Sequence, residues 1–214
     1  MMPIVLHIVM NNRDYKQFGQ GGYYHVYNRG NNRQDIFLDD EDRKFFLFRM
    51  REAVYPEFAG SRRKPLPAGS FTILAYCLMP NHFHLLVRQN SSTPISELIK
   101  KVCTGYSKYF NKKYKRVGHV FQDQYKAVVI SNDGYLKWVS AYIHQNPKIG
   151  GLVEDLKDYQ WSSYLDYMSL RKGKLCSKDL ILGMFASVEK YKEFVDDANE
   201  QIRKRKDIQA LLLE

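Results

Sequence analysis

Cysteine is scarce in this 214-residue chain, and long runs of apolar residues are missing. The three cysteines, Cys77, Cys103 and Cys176, are far apart, and no two have the spacing of a zinc knuckle or a redox pair. A sparse, odd number of cysteines fits a reducing compartment. No apolar stretch approaches the roughly 18 residues of a membrane helix, and the apolar start of the chain lacks a basic leader and a small-residue cleavage site. The sequence therefore predicts a cytoplasmic protein without a membrane partner.

Acidic residues are too few to balance the basic ones, and the imbalance lies in one part of the chain. The formal net charge is +10. Residues 1–150 contain 22 lysines and arginines against 11 acidic residues, whereas residues 151–214 contain 11 against 12. A basic body with a neutral tail favours binding of a polyanion; solubility alone is the alternative. We expect a catalytic domain at 1–150, with its core at about 20–150, and a mostly helical C-terminal extension at 151–214.

The pattern of apolar residues and turn signals predicts the element order β-α-β-β-α-β-α. Strands are expected at 23–29, 71–78, 82–88 and 120–130, and helices at about 41–53, from 91–94 to about 113, and at 134–146, where Pro147 helps to end the helix. The first six elements match the split β-α-β order of a ferredoxin-like α+β fold, an antiparallel sheet with helices on one face. A further amphipathic helix is expected at 187–206, within the extension.

A histidine pair stands on the third predicted strand. His82 and His84 are two residues apart, so both side chains leave the same face of the strand, while Phe83 points to the other face. Two neutral imidazoles in this arrangement can bind one metal ion. The alternative is a pair of polar residues on a solvated strand face, although unpartnered imidazoles would be costly inside so apolar a hairpin.

The last helix of the body carries a candidate nucleophile. Tyr142 and Asn146 are four residues apart and therefore lie on one face of the helix. A tyrosine hydroxyl and an amide oxygen one turn apart suit phosphoryl transfer beside a metal ion. A free phenol has a pKa near 10, so attack on phosphorus requires a nearby cation. The alternative is that Tyr142 packs in the core with its hydroxyl satisfied.

Basic residues are concentrated between Lys100 and Arg116, where seven basic and no acidic residues alternate with aromatic ones. Lysines that contact phosphates and aromatic rings that stack on bases are what single-stranded nucleic acid requires. A solvated helix face whose aromatic residues turn to the core is equally possible. The candidates for DNA binding along the whole chain are Arg29, Arg33, Arg62, Arg63, Lys64, Lys100, Lys101, Lys108, Lys112, Lys113, Arg116 and Lys126.

Several motifs in a fixed order resemble the single-tyrosine HUH transposases, in particular their REP-associated tyrosine transposase branch. They span about residues 23–165 and are YHVYNRG at 24–30, AYCLMPNHFHLLV at 75–87, GHVFQDQYK at 118–126, YIHQNP at 142–147 and WSSY at 161–164. The resemblance implies that His82 and His84 bind a metal ion, Mg²⁺ or Mn²⁺, and that Tyr142 is the nucleophile. Asn146 would be the third ligand, at a position where relatives often carry Gln, with His25 as the fallback.

The activity that the resemblance implies is transesterification of single-stranded DNA, with recognition of a DNA hairpin. Tyr142 would form a 5′-phosphotyrosine link and free a 3′-hydroxyl, and no ATP or small-molecule substrate would be needed. Two other functions remain open: a non-catalytic binder of structured DNA or RNA, and a metal-dependent hydrolase in which Tyr142 is structural. The resemblance leaves open whether the protein is a monomer or a homodimer.

Overall fold

A four-stranded antiparallel sheet forms the centre of the molecule. The computed structural model describes residues 19–58 and 65–204, without the side chains of 203 and 204. The strands are β1 (Tyr23–Arg29), β2 (Phe71–Met79), β3 (His82–Gln89) and β4 (Lys126–Ile130), and they lie in the order β2-β3-β1-β4. All three pairs of neighbouring strands are antiparallel. This is the strand order of the ferredoxin-like fold, which confirms the predicted fold class.

Three long helices pack on the two faces of this sheet. They are α1 (Asp40–Val54), α2 (Ile95–Lys113) and α3 (Asp133–Ile149). Helices α1 and α2 cover one face. There the ring centroid of Phe46 in α1 lies 4.9 Å from that of Phe83 in β3 and 5.3 Å from that of Tyr106 in α2. Helix α3 covers the opposite face, against β2 and β3. The start of α1 is fixed by a capping box between Asp39 and Asp42.

Two predicted boundaries are wrong. The fourth strand begins at Lys126 and not at residue 120, because Gln122 donates its backbone N–H to the carbonyl oxygen of Arg29 and Phe121 bridges to Gly30, which turns this segment into a loop around the end of β1. Helix α3 also runs past Pro147 to Ile149. Because Pro147 is only two residues from the end of the helix, the missing hydrogen bond and any kink affect only its last turn.

The segment after α3 covers the outer edge of β2, the edge that pairs with no other strand of the sheet. It contains the short helices α4 (Tyr164–Tyr167) and α5 (Asp179–Leu182) and the longer α6 (Val188–Lys204). The backbone N–H of Leu78 donates to the oxygen of Trp161, and that of Ser163 donates to the oxygen of Tyr76. Further along, Ser177 donates to Ile73. An unpaired strand edge is prone to non-native pairing, so these bonds protect the sheet.

Helix α3 is enclosed on both sides, by the sheet and by α6. Every residue from Trp138 to Pro147 is buried, so the helix has no solvated stripe in this part of its length. Within residues 19–58 and 65–204, no helix is long and apolar enough to cross a membrane.

Candidate active site

Strands β1 and β3 present polar side chains on the sheet face that α3 covers. Alternation along β3 puts His82 and His84 on this face. In the register of the sheet, Tyr27 of β1 lies opposite His84, and Arg29 lies opposite His82. His25 precedes Tyr27 by two residues and shares its face. The histidine pair therefore has a histidine, a tyrosine and an arginine of the neighbouring strand beside it.

Helix α3 brings Tyr142 of the same chain onto the buried histidines. The ring centroid of Tyr142 lies 5.6 Å from that of His84 and 5.7 Å from that of His25, in edge-to-face contacts. Trp138, one turn earlier in the helix, stacks on the Tyr142 ring with centroids 5.5 Å apart. The candidate nucleophile thus meets one of the two candidate metal-binding histidines, His84, within one chain.

Both histidines of β3 use Nδ1 for a contact inside the protein. Nδ1 of His82 lies 2.6 Å from Oδ1 of Asn81, and Nδ1 of His84 lies 2.9 Å from Nε2 of His25. Nε2 of His84 is buried and has no hydrogen-bond partner among the described residues. Buried polar atoms without a partner are rare in proteins, and a metal ion would satisfy this one.

Burial keeps these imidazoles neutral near pH 7. It lowers the pKa of His25 to about 3. Burial, together with the positive charge of Arg29, lowers the pKa of His82 to about 4. Burial also holds the pKa of His84 well below its usual value, with smaller contributions from the two other histidines. The neutral imidazole is the form that binds metal ions.

Asn146 lies one turn after Tyr142 and is buried. Its Nδ2 donates to the backbone oxygen of Tyr142 at 2.9 Å, which leaves Oδ1 as an acceptor. Among the described residues, no group of three His, Cys, Asp or Glu side chains is arranged to hold a metal ion. His25, the fallback ligand, already uses Nε2 in its contact with His84. A third protein ligand would therefore have to be of another type, and the amide oxygen of Asn146 is of such a type.

Four of the candidate DNA-binding residues lie at the end of the sheet next to His82. Arg29 is opposite His82 and donates from Nε and Nη2 to Oε1 of Gln122. Lys126 is opposite Tyr27 and exposed. Two adjoining loops contribute Arg33, whose backbone oxygen accepts from Asn81, and Arg116, which donates to Gln34.

The lysines of α2 lie on the other side of the sheet. Lys100, Lys101, Lys108 and Lys112 line an open groove of about 1140 Å³ between α1 and α2. Lys113 forms ion pairs with Asp39 and Asp42 at the start of α1, so its charge is balanced within the protein. Arg62, Arg63 and Lys64 lie outside the described residues.

The aromatic residues of α2 mostly have structural roles. Tyr106 and Phe110 are buried in the core, as the alternative interpretation of this helix predicted. Tyr109 is half-buried and stacks on Phe45 of α1, with ring centroids 3.9 Å apart. Tyr114, the residue that follows α2, donates from its hydroxyl to Asp42. These rings hold α2 to its neighbours.

Sequence reasoning did not give β1 a distinct role in this site. Tyr27 was not singled out, and His25 entered only as a fallback ligand. Alternation in YHVYNR does place His25, Tyr27 and Arg29 on one face, but only the strand register shows that this face adjoins the histidine pair.

Comparisons with known proteins identify the family of the chain and support its fold. Residues 20–146 match the family model described as "Transposase IS200 like". A Haemophilus influenzae protein named as a REP-associated tyrosine transposase is 28% identical over 161 residues, which cover 70% of this chain and 83% of that protein. The solved structure of a REP-associated tyrosine transposase bound to a REP hairpin is 16% identical and has a TM-score of 0.56; the match covers 79% of this chain and 94% of that one. The structural likeness supports the fold.

Proposed function

Because the chain belongs to the IS200-like transposase family, we propose that it cleaves and rejoins single-stranded DNA, with Tyr142 as the nucleophile. The observation that carries this proposal is the contact of Tyr142 with both His84 and His25 in one chain. A tyrosine needed only for packing has no requirement for imidazoles at its ring edge. A protein that only bound DNA would have no use for the combination.

The proposed reaction exchanges one phosphodiester for another. The Tyr142 oxygen forms a bond to phosphorus as its proton leaves, and the bond from phosphorus to the 3′-oxygen breaks. The leaving oxygen takes up a proton and becomes a free 3′-hydroxyl, while the 5′-phosphate stays on Tyr142. Attack by a later 3′-hydroxyl reverses these steps and rejoins the DNA. The number of phosphoester bonds is unchanged, which is why no ATP is required.

The residues at the site fit a divalent cation. His82 and His84 each have Nδ1 engaged within the protein and would bind through Nε2, and Asn146 would bind through Oδ1. The amide oxygen, water and phosphate suit Mn²⁺ or Mg²⁺, whereas imidazole is the more usual ligand of Zn²⁺, Cu²⁺, Fe²⁺ or Ni²⁺. The choice of Mn²⁺ or Mg²⁺ therefore rests on the resemblance to the HUH transposases. When bound, the ion would stabilise the phenolate and the charge that develops on phosphate.

Two basic surfaces would contact different parts of the DNA. Arg29 lies beside His82, and Lys126 lies one strand further away, opposite Tyr27. Both would hold phosphates of the strand that is cleaved. The groove lined by Lys100, Lys101 and Lys108 lies on the opposite side of the sheet and would hold a separate segment. By similarity to the relative solved with a REP hairpin, we propose that this DNA includes a hairpin.

A covalent-adduct assay tests the proposal. The protein is incubated with labelled single-stranded DNA containing a hairpin and with Mn²⁺, and the products are separated in SDS. We expect a protein–DNA adduct that Tyr142→Phe abolishes and that Tyr164→Phe, a matched change of a buried tyrosine outside the site, retains. Cleavage that persists in Tyr142→Phe would indicate a hydrolase. Binding without cleavage by the unmodified protein would indicate a DNA-binding protein.

Salt-dependent binding separates the two surfaces. Each phosphate contact that is lost should reduce the slope of log K against log salt by about 0.7 for single-stranded and about 0.9 for duplex DNA. We expect Arg29→Gln with Lys126→Gln to reduce the slope for an unstructured strand, and Lys100→Gln with Lys108→Gln to reduce it only when the hairpin is present. Lys172→Gln with Lys192→Gln, two exposed lysines of the extension, is the charge-matched control.

A further inference from the structure

His25 is buried beside the proposed metal site and is not one of its proposed ligands. It is 2% exposed, lies on β1, and contacts His84, which is fully buried, through a hydrogen bond of 2.9 Å between its Nε2 and Nδ1 of His84. We infer that His25 is a positioning residue that fixes the tautomer and ring orientation of His84, so that the lone pair on Nε2 of His84 faces the metal site. The inference rests on the proposed function of His84 as a metal ligand.

The bond between the two rings contains a single proton, which either nitrogen can carry. If Nε2 of His25 carries it, Nδ1 of His84 is the acceptor, and neutral His84 must carry its own proton on Nε2. Nε2 of His84 has no partner among the described residues in either state, but as an N–H it could not bind a metal ion. If Nδ1 of His84 is the donor, Nε2 presents a lone pair. This second state is the one that binds a metal ion, and a partner that fixes it is a recurrent feature of metal sites.

His82 shows the same arrangement with an unambiguous acceptor. Asn81 donates from Nδ2 to the backbone oxygen of Arg33, which directs its Oδ1 toward His82. An amide oxygen only accepts, so Nδ1 of His82 must be the donor and its Nε2 must carry the lone pair. His25 would therefore do for His84 what Asn81 does for His82. Both imidazoles would then present the same nitrogen to the site.

Neighbouring rings hold His25 in this position. The rings of His25 and His84 are nearly parallel, with centroids 5.1 Å apart and an angle of 26°. The ring centroid of Tyr27, on the same strand, lies 5.0 Å from that of His25, and the Tyr142 ring makes an edge-to-face contact with the His25 ring. With its Nε2 committed to His84, His25 supports the metal site without being one of its ligands.

The inference is tested first in the metal-free protein. In ¹⁵N NMR spectra of the histidine side chains, His84 should have its proton on Nδ1 in the unmodified protein and in His25→Gln, whose amide oxygen can replace the acceptor. His25→Leu removes the acceptor and should let the proton move to Nε2. A proton on Nε2 of His84 in the unmodified protein would overturn the inference, whether or not any variant folds.

Mn²⁺ binding, followed by calorimetry without DNA, is the second test. We expect His25→Leu to weaken Mn²⁺ binding by about 10- to 100-fold and His25→Gln to retain most of the affinity. Val102→Ala, a buried change on the α2 side of the sheet, controls for a loss of stability and should bind Mn²⁺ normally. Equal affinity of His25→Leu and the unmodified protein would refute the role of His25, as would equal losses in His25→Leu and His25→Gln.

A further variant separates failure of this inference from failure of the proposed function. His82→Ala with His84→Ala should abolish Mn²⁺ binding. If binding survives that double change, the assignment of the metal site is wrong. If the double change abolishes binding while His25→Leu leaves it intact, only the role of His25 is wrong.

Discussion

A series of buried hydrogen bonds holds helix α3 on the side away from the histidines, and Tyr191→Phe would interrupt this series. The Tyr191 hydroxyl of α6 lies 2.8 Å from Nδ1 of His144, and Nε2 of His144 lies 2.8 Å from Oγ of Ser163. Ser163 accepts from the backbone N–H of Tyr76 and donates to its oxygen. These hydrogen bonds therefore link α6, α3, the segment along the edge of the sheet and β2.

The proton positions along this series of hydrogen bonds follow from the hydroxyl of Ser163. Because the Ser163 hydroxyl donates to the oxygen of Tyr76, its Oγ must accept from Nε2 of His144. The other ring nitrogen of neutral His144 is then an acceptor. The Tyr191 hydroxyl lies 3.2 Å from Oγ of Ser140 and 2.8 Å from Nδ1 of His144, and at the shorter distance it is the donor to His144. Phenylalanine at position 191 keeps the ring but leaves Nδ1 of His144 buried without a partner.

The loss of the hydrogen bond to His144 sets the expected decrease in the free energy of unfolding. An unsatisfied buried acceptor costs about 1–3 kcal/mol, and Tyr191 and His144 are both fully buried, so water would not replace the hydroxyl. We expect the free energy of unfolding from urea titrations to fall by about 1–3 kcal/mol in Tyr191→Phe. Tyr23→Phe, a half-buried tyrosine at the end of β1, should change it by less than about 0.5 kcal/mol. Equal effects of the two changes would refute the argument.

Two further predictions concern the site and its histidines. Since Tyr142 meets His84 within one chain, a mixture of Tyr142→Phe and His84→Ala proteins should form no DNA adduct; restored activity would show that the tyrosine acts in the partner's site. Burial lowers the pKa of His25 and His144 from 6.5 to about 3, so the unfolded chain binds more protons between these values. The free energy of unfolding should therefore fall by about 1.4 kcal/mol per histidine for each pH unit below about 6.5, and equal stability at pH 7 and pH 5 would contradict this.

Local patterns were sufficient for most of the fold. Alternation along 82–88 and the turn at Pro80–Asn81 predicted the hairpin that carries His82 and His84, because strand faces depend only on neighbouring residues. The start of β4 was misplaced because Val120, Phe121 and Tyr125 are residue types that favour strands, although residues 122–124 between them are polar. Their backbone instead bonds to residues at the end of β1, and no local pattern reveals such a contact.

The site was harder to predict wherever it depends on register or burial. The spacing of Tyr142 and Asn146 indicated a shared helix face, but whether that face meets the histidines depends on how α3 packs. The aromatic residues of α2 remained ambiguous for the same reason, since core packing and base stacking require the same residue types. The position of His25 follows from the pairing of β1 with β3, which the sequence of either strand alone does not specify.

The C-terminal extension affects the geometry of the site although it supplies none of the proposed ligands or the nucleophile. Ser140 and His144 precede Tyr142 and Asn146 by two residues each, which is a rotation of about 200° on a helix. The face that carries the proposed nucleophile and the face that is anchored are therefore nearly opposite. The YIHQNP and WSSY motifs meet through the bond between His144 and Ser163, which ties the tyrosine helix to the extension on the side away from the histidines.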